Sequence, residues 1–329
     1  MKLKILLLVL LLASLRTSAQ IDSLKVSLQQ NGKPIIMIFG NFHSEFTDIE
    51  NTGFEIQRAY LGYQYMISES FSTTVIFDAG ESSDVGDLQR IGFLRNAFLK
   101  WKKSNFTLNV GLLDMKLHDT QLKAWGHRYI MRTFQDKYKF AHVADLGMIA
   151  EYQFGSLFEA DVTFVNGEGF KKISVDPYFL YGAGLTCKLF SGLTLRITGT
   201  YKDYDHGYDF LTGQENLSCF AGYENNKFGA GVEYSAIWNT SNSEGKHQDG
   251  FSAFIYTCLT AKAEIFARWD CLSSANEWNI DREENAAILG FQYSPNKHIR
   301  ISPNIWITIP KATPTEPKIA GYINLEIKL

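Results

Sequence analysis

Eleven lysines and arginines crowd into residues 90–139 against three aspartates, Asp114, Asp119 and Asp136, a local excess of eight positive charges. Residues 40–89 reverse the sign, with nine acids and a single base, Arg58. The long stretch 113–144, between two runs of alternating apolar residues, carries Lys116, Lys123, Arg128 and Arg132. Cations gathered in a confined, low-dielectric passage lower the entry cost of anions and raise that of cations, so these four are the candidate pore constriction. Arg58, Lys100, Arg196, Arg268 and Arg300 share the strand parity of other polar residues and could extend the field along a lumen wall. The bland alternative is solvated loop charge, the reading preferred for Lys102 and Lys103 in their short turn. Glu151, Glu159, Asp161 and Glu233 have the inward parity too, so ion pairing would consume much of the field. Weak anion preference is the expectation.

Other chemistry-bearing groups point to less. Asp203, Asp205, His206 and Asp209 offer oxygen-rich spacing for a divalent cation, but no Gly-punctuated twelve-residue loop ends in Glu, and a solvated loop is preferred. His43 and Ser44 are adjacent on one strand and point to opposite faces, which defeats a base–nucleophile pair. His118, His127, His142, His206, His247 and His298 are scattered over loops and turns. No catalytic residue and no cofactor is expected. Four widely spaced cysteines form no CxxC pair. Cys187, Cys219 and Cys271 fall on the apolar face as small hydrophobes, and the parity of Cys258 is open.

The elements that must position these residues show in a period of two. Phe158, Ala160, Val162 and Phe164 alternate with Glu159, Asp161 and Thr163; Phe228 to Trp238 and Ala263 to Trp269 do the same. Successive strand side chains point to opposite faces, so each run has one apolar face and one polar or small face. Sixteen such runs can be placed between 34–46 and 319–329, joined alternately by tight turns and longer polar loops. That layout predicts an all-β fold, an antiparallel transmembrane barrel of sixteen strands with its termini on the short-turn, periplasmic side. A propeller or sandwich would bury too many charges on the face carrying Glu151, Glu233, Glu264 and Arg268. Trp101, Tyr152, Tyr201, Trp238, Trp269 and Tyr293 fall near strand ends, as an interfacial girdle would. Pro303 inside the fifteenth run predicts a bulge there.

Composition and termini agree. The chain has 329 residues, 14% aromatic, with a net charge of −3 that argues against a general nucleic-acid binder. Lys2 and Lys4, the apolar run 5–15 and Thr17-Ser18-Ala19 predict a signal peptide at 1–19, cleaved near Ala19/Gln20. A short periplasmic segment at 20–33 and the barrel at 34–329 follow. The last run alternates up to Leu329, which suits closure against the first strand and resembles the terminal signal read by outer-membrane insertion machinery.

Three stretches together resemble the phosphate-selective porin family (O and P type) of the outer membrane, in a form typical of the Bacteroidetes. They are Arg58-Ala59-Tyr60-Leu61-Gly62, the loop end Arg128-Tyr129-Ile130-Met131-Arg132 leading to Asp145-Leu146-Gly147, and Val165-Asn166-Gly167-Glu168-Gly169. Gln57 stands where the family motif has its first Arg. The resemblance implies a sixteen-stranded, usually trimeric channel whose third loop folds inward, with a basic lining that draws anions. The function expected is passive diffusion of small hydrophilic solutes, anionic or neutral, through an outer-membrane porin surrounded by lipid. An adhesin or structural barrel, or a membrane hydrolase, is the alternative.

Overall fold

The computed structural model describes residues 31–48, 50–81, 90–172, 175–190, 192–313 and 316–329. The expected signal peptide and cleavage point, and residues 20–30 of the expected periplasmic segment, lie outside the described residues. Among those described, sixteen strands form one closed antiparallel barrel. The first eight are β1 (Gly32–Glu45), β2 (Thr52–Met66), β3 (Phe71–Glu81), β4 (Arg90–Lys103), β5 (Phe106–Asp114), β6 (Ala144–Phe154), β7 (Phe158–Val165) and β8 (Leu180–Leu189). The second eight are β9 (Leu193–Lys202), β10 (Gln214–Glu224), β11 (Phe228–Trp238), β12 (Gln248–Thr260), β13 (Ala263–Ser274), β14 (Glu284–Asn296), β15 (Ile299–Pro310) and β16 (Lys318–Lys328). Each expected run lies within three residues of its strand at both ends.

Closure joins β1 to β16, from Met37 opposite Lys328 to Glu45 opposite Ala320. The Leu329 N–H donates to the Ile36 carbonyl at 2.9 Å, so the ladder continues to the last residue. With every strand paired on both sides, no sheet edge is left to face lipid. The seven short turns lie at one end of the barrel and the longer connections at the other.

The two faces separate as the period requires. Val232, Ile255, Trp269, Leu289 and Ile305 form an exposed apolar band on adjacent strands. Glu233, Arg268, Ser252 and Asn304 on the opposite face are buried. Cys187, Cys219 and Cys271 lie across from the exposed Phe158, Ile197 and Phe251, on the outer face. Cys258 faces Glu264 and is therefore inward.

Two expectations need correction. Pro303 causes no register shift: β14 and β15 hold one register from Gly290–Asn304 to Tyr293–Ile301, and the bulge falls between Tyr293 and Asn296. Proline lacks only its own N–H, so the ladder can skip one bonded step and resume in place. Trp269 also does not mark a strand end. It lies mid-strand between Ala253 and Ala287, where its ring covers methyl-sized neighbours on the outer wall.

A charge on the outer band is expected to be costly. Val232→Arg should lower unfolding free energy in lipid vesicles by about 2–4 kcal/mol, as reported by denaturant titration of tryptophan fluorescence.

Candidate functional site

The 115–143 segment between β5 and β6 is where the charges collect, and short local signals shape it. A 3-10 turn (Lys116–His118) leads into α1 (Asp119–Trp125); a further turn of helix, α2, spans Phe134–Lys137. Lys123 reaches back one turn to Asp119 at 2.7 Å, and Gly126 ends α1 with a left-handed φ of 68°. Its N–H donates to Leu122 O, and its own carbonyl is left free to bond elsewhere.

Contacts of this segment run around the ring. Lys116 Nζ sits 2.7 Å from Glu151 on β6 and 2.9 Å from Glu159 on β7. The Lys116 carbonyl accepts a bond from Arg196 on β9 at 3.1 Å. Burial alone would lower the pKa of Lys116, but the two carboxylates outweigh it and hold the ammonium group charged. Gln121 of α1 and Gln135 of α2 both donate to Glu233 Oε1 on β11, at 3.4 and 2.8 Å. Ser218 and Ser235 donate to the same oxygen.

Trp125 packs against Phe254 of β12 and Phe266 of β13, with the Arg268 guanidinium 5.1 Å from its ring centre. Its indole N–H donates to Met131 O at 2.8 Å. His127 bonds to Glu264 of β13. Tyr129, fully buried, donates to Gln292 of β14 at 2.7 Å and contacts Phe39 of β1. Asn324 of β16 donates to the Tyr129 carbonyl, and Arg300 of β15 to that of Gly126. A segment bonded to so many strands of a closed ring lies inside it. Gly250 of β12 makes room on the far wall, since a Cβ there would stand 2.5 Å from the Phe134 ring.

The candidate cations are nearly all paired. On the wall, Arg58 pairs with Asp78, Arg196 with Asp161 at 2.8 Å, Arg268 with Asp270 at 2.9 Å and Arg300 with Glu326 at 3.3 Å. In the segment, Lys116 and Lys123 are paired as above, and Arg128 lies 3.3 Å from Asp136. Arg132 is different: its side chain is exposed and makes no ion pair among the described residues. Its carbonyl is held by Arg268 at 2.7 Å, which fixes the backbone from which the guanidinium projects. Lys100, half-buried and inward between Ser72 and Asn109, is also without an ion pair among the described residues.

Open space remains on both sides of the segment. Toward the long loops, a cavity of about 360 Å³ is lined by Arg58, Arg128, Arg132, Met131 and Trp306, among others. A second, of about 540 Å³, lies beside Lys139, His142 and Lys202. Toward the short turns, a cavity of about 200 Å³ borders Lys116, Lys123 and Glu159. A larger groove on the outer wall, of about 850 Å³, is lined by Val232, Ile255 and Leu289 and belongs to the apolar band.

Some of these residues escape sequence reasoning. Arg95 would point outward by parity, but the register step between Ile76 and Phe77 pairs Asn96 and Leu94 and skips it. Arg95 turns inward, 2.7 Å from Asp114 and 5.1 Å from the Tyr60 ring centre. Gln121, Gln135 and His127 anchor the segment without a periodic signal; the inward Glu233 and Glu264 were the only hint. The loop candidates for a cation do not gather. His206 is 3.3 Å from Asp203, while Asp205 accepts the Gly207 N–H, and no group of three such side chains converges among the described residues. His43 bonds to Asn41 and Asn51 rather than to a serine.

Solved structures similar to this barrel include porins and other outer-membrane proteins. Salmonella typhi OmpF in complex with daunomycin matches over 91% of this chain and 98% of its own, with a TM-score of 0.70 and 10% identity. The anion-selective porin from Comamonas acidovorans matches over 91% and 99%, with a TM-score of 0.64 and 8% identity. OmpT from Vibrio cholerae, in its trimer form, matches over 91% and 99%, with a TM-score of 0.57 and 13% identity. The fold is that of the outer-membrane porins. No family model and no curated protein matches the sequence.

Two outcomes test how the segment is held. Glu233→Leu leaves the donors of Gln121, Gln135, Ser218 and Ser235 without their acceptor. It should loosen the segment by about 1–3 kcal/mol, read as faster trypsin cleavage after Lys123 and Arg128. His118 is buried, and burial pushes its pKa down despite the pull of Asp136. A released segment would therefore take up a proton that the packed one refuses. Packing should be intact above the ordinary histidine pKa of about 6.5 and weaken as pH falls below it. Near-ultraviolet circular dichroism of Trp125 between pH 8 and 5 checks this, and His118→Gln should flatten the dependence.

Proposed function

We propose that the chain forms an outer-membrane porin for passive diffusion of small hydrophilic solutes, with a weak anion preference carried mainly by Arg132. The fold likeness supports a channel, and the signal-peptide pattern supports export to the outer membrane. The trimer form of one similar barrel makes a homotrimer the assembly to test first. The 115–143 segment acts as the constriction, because it occupies the lumen and divides the open space on either side.

The pairing pattern is the observation that carries the selectivity reading. A cation already matched to a carboxylate within 4 Å adds little to the field felt by a passing ion. Arg58, Lys116, Lys123, Arg128, Arg196, Arg268 and Arg300 are all so matched. Arg132 is not, and it borders the cavity toward the long loops. The paired charges serve mainly to hold the segment and wall together, which supports a mild bias rather than a dedicated phosphate path.

Reversal potential in a planar bilayer under a salt gradient tests the reading. Anion-favouring channels are expected, with Arg132→Ala removing most of the preference. Lys123→Ala, at a side chain 73% exposed and paired within its own helix, should change it by less than about half as much. Folded protein without conductance would overturn the porin reading and bring the adhesin and hydrolase alternatives forward.

A further inference from the structure

The cavity beside Arg132 has a chemical character that a general anion filter does not need. Its charged side is Arg58, Arg128, Arg132, Lys137 and Lys171, with Glu55 and Asp78 among them. Its other side is apolar: Phe39, Ile130, Met131 and Trp306. Trp306 is fixed, since its indole N–H donates to Asn304 at 2.6 Å and its ring lies 4.5 Å from that of Tyr322. Met131 is fixed by the bond from Trp125 to its carbonyl.

Most of the positive charge is answered locally. Arg58 is spent on Asp78, Arg128 on Asp136, and Lys137 on Glu284 at 2.8 Å. Arg132 is the planar donor left to meet a ligand, and a guanidinium fork matches a carboxylate with two parallel bonds. A multiply charged, strongly hydrated anion would lose water against an apolar wall and find too little positive charge to replace it. A singly charged group with an apolar body matches both sides. At about 360 Å³ the cavity is at the small end of the range for ligand sites, roughly 300–1,000 Å³.

We propose that this cavity binds small monocarboxylates with an aromatic or aliphatic body, the carboxylate on Arg132 and the body against Met131 and Trp306. The inference deepens the channel reading and rests on it for transport, but binding itself does not require conductance. Arg128 and Arg58 line the carboxylate side, Arg128 held toward Tyr60 at 3.4 Å.

Benzoate, acetate and inorganic phosphate are the probes, used on the full-length protein folded in detergent and in planar bilayers. Benzoate should quench tryptophan fluorescence and interrupt single-channel current at concentrations at least about tenfold below those needed for acetate or phosphate. Arg132→Ala should raise the benzoate concentration needed by about tenfold or more, and Arg132→Lys should restore part of the loss. Trp306→Phe should shift benzoate while leaving acetate unchanged in the current assay. Equal effects of the three anions, or benzoate binding unmoved by Arg132→Ala, would overturn the proposal. Quenching that follows this order in a protein without conductance would keep the site and sink the channel.

Discussion

A peptide group facing hydrocarbon without a hydrogen-bond partner costs several kcal/mol, and that cost dictates the architecture. Only a ring satisfies every strand on both sides, and here the ring closes through the β1–β16 ladder down to the Leu329 N–H. Closure then imposes an interior. Sixteen strands enclose a space wider than their own inward side chains can fill, so something must either enter it or leave it to water. The 115–143 segment enters it.

What holds that segment also shows how its many charges are used. Segment and wall meet through matched groups: Lys116 with Glu151 and Glu159, two glutamines with Glu233, His127 with Glu264. A charge brought out of bulk water needs a partner to repay its desolvation, so Lys116 and the carboxylates that fasten the segment are answered by ion pairs or hydrogen bonds within the protein. The aromatic packing of Trp125 and Tyr129 adds a water-excluding seam between the anchors. In the proposed channel, selectivity rests on the few side chains with no fastening duty, of which Arg132 is the clearest.

Strand parity carried the sequence reading a long way. Glu151, Glu159, Asp161, Arg196, Glu233, Glu264, Arg268 and Arg300 all meet the segment or one another inside the ring, as alternation from their neighbours requires. Parity fails where a strand gains a residue. The extra residue at Arg95 reverses its direction with no proline near it, and the step at Tyr293–Asn296 falls at Pro295, near the end of β14, rather than at Pro303 within β15. Bulges arise from the fit of one strand to its neighbour, a pairing that a single strand does not contain.

Alternation, turn spacing and the length of the apolar runs were enough to determine the sixteen-stranded ring, because a residue's face in a strand depends only on its place in the chain. The basic segment was visible for the same reason: composition is local. Its effect on passing ions was not. Whether a cation contributes field or serves as a clamp depends on which carboxylate lies within about 4 Å. Some of those partners are close in sequence, as Asp119 is to Lys123, but Asp78, Glu151 and Glu159 stand 20 to 43 positions from Arg58 and Lys116. Only the closed ring brings such distant residues together, and that meeting decided which of the wall and segment cations are clamped.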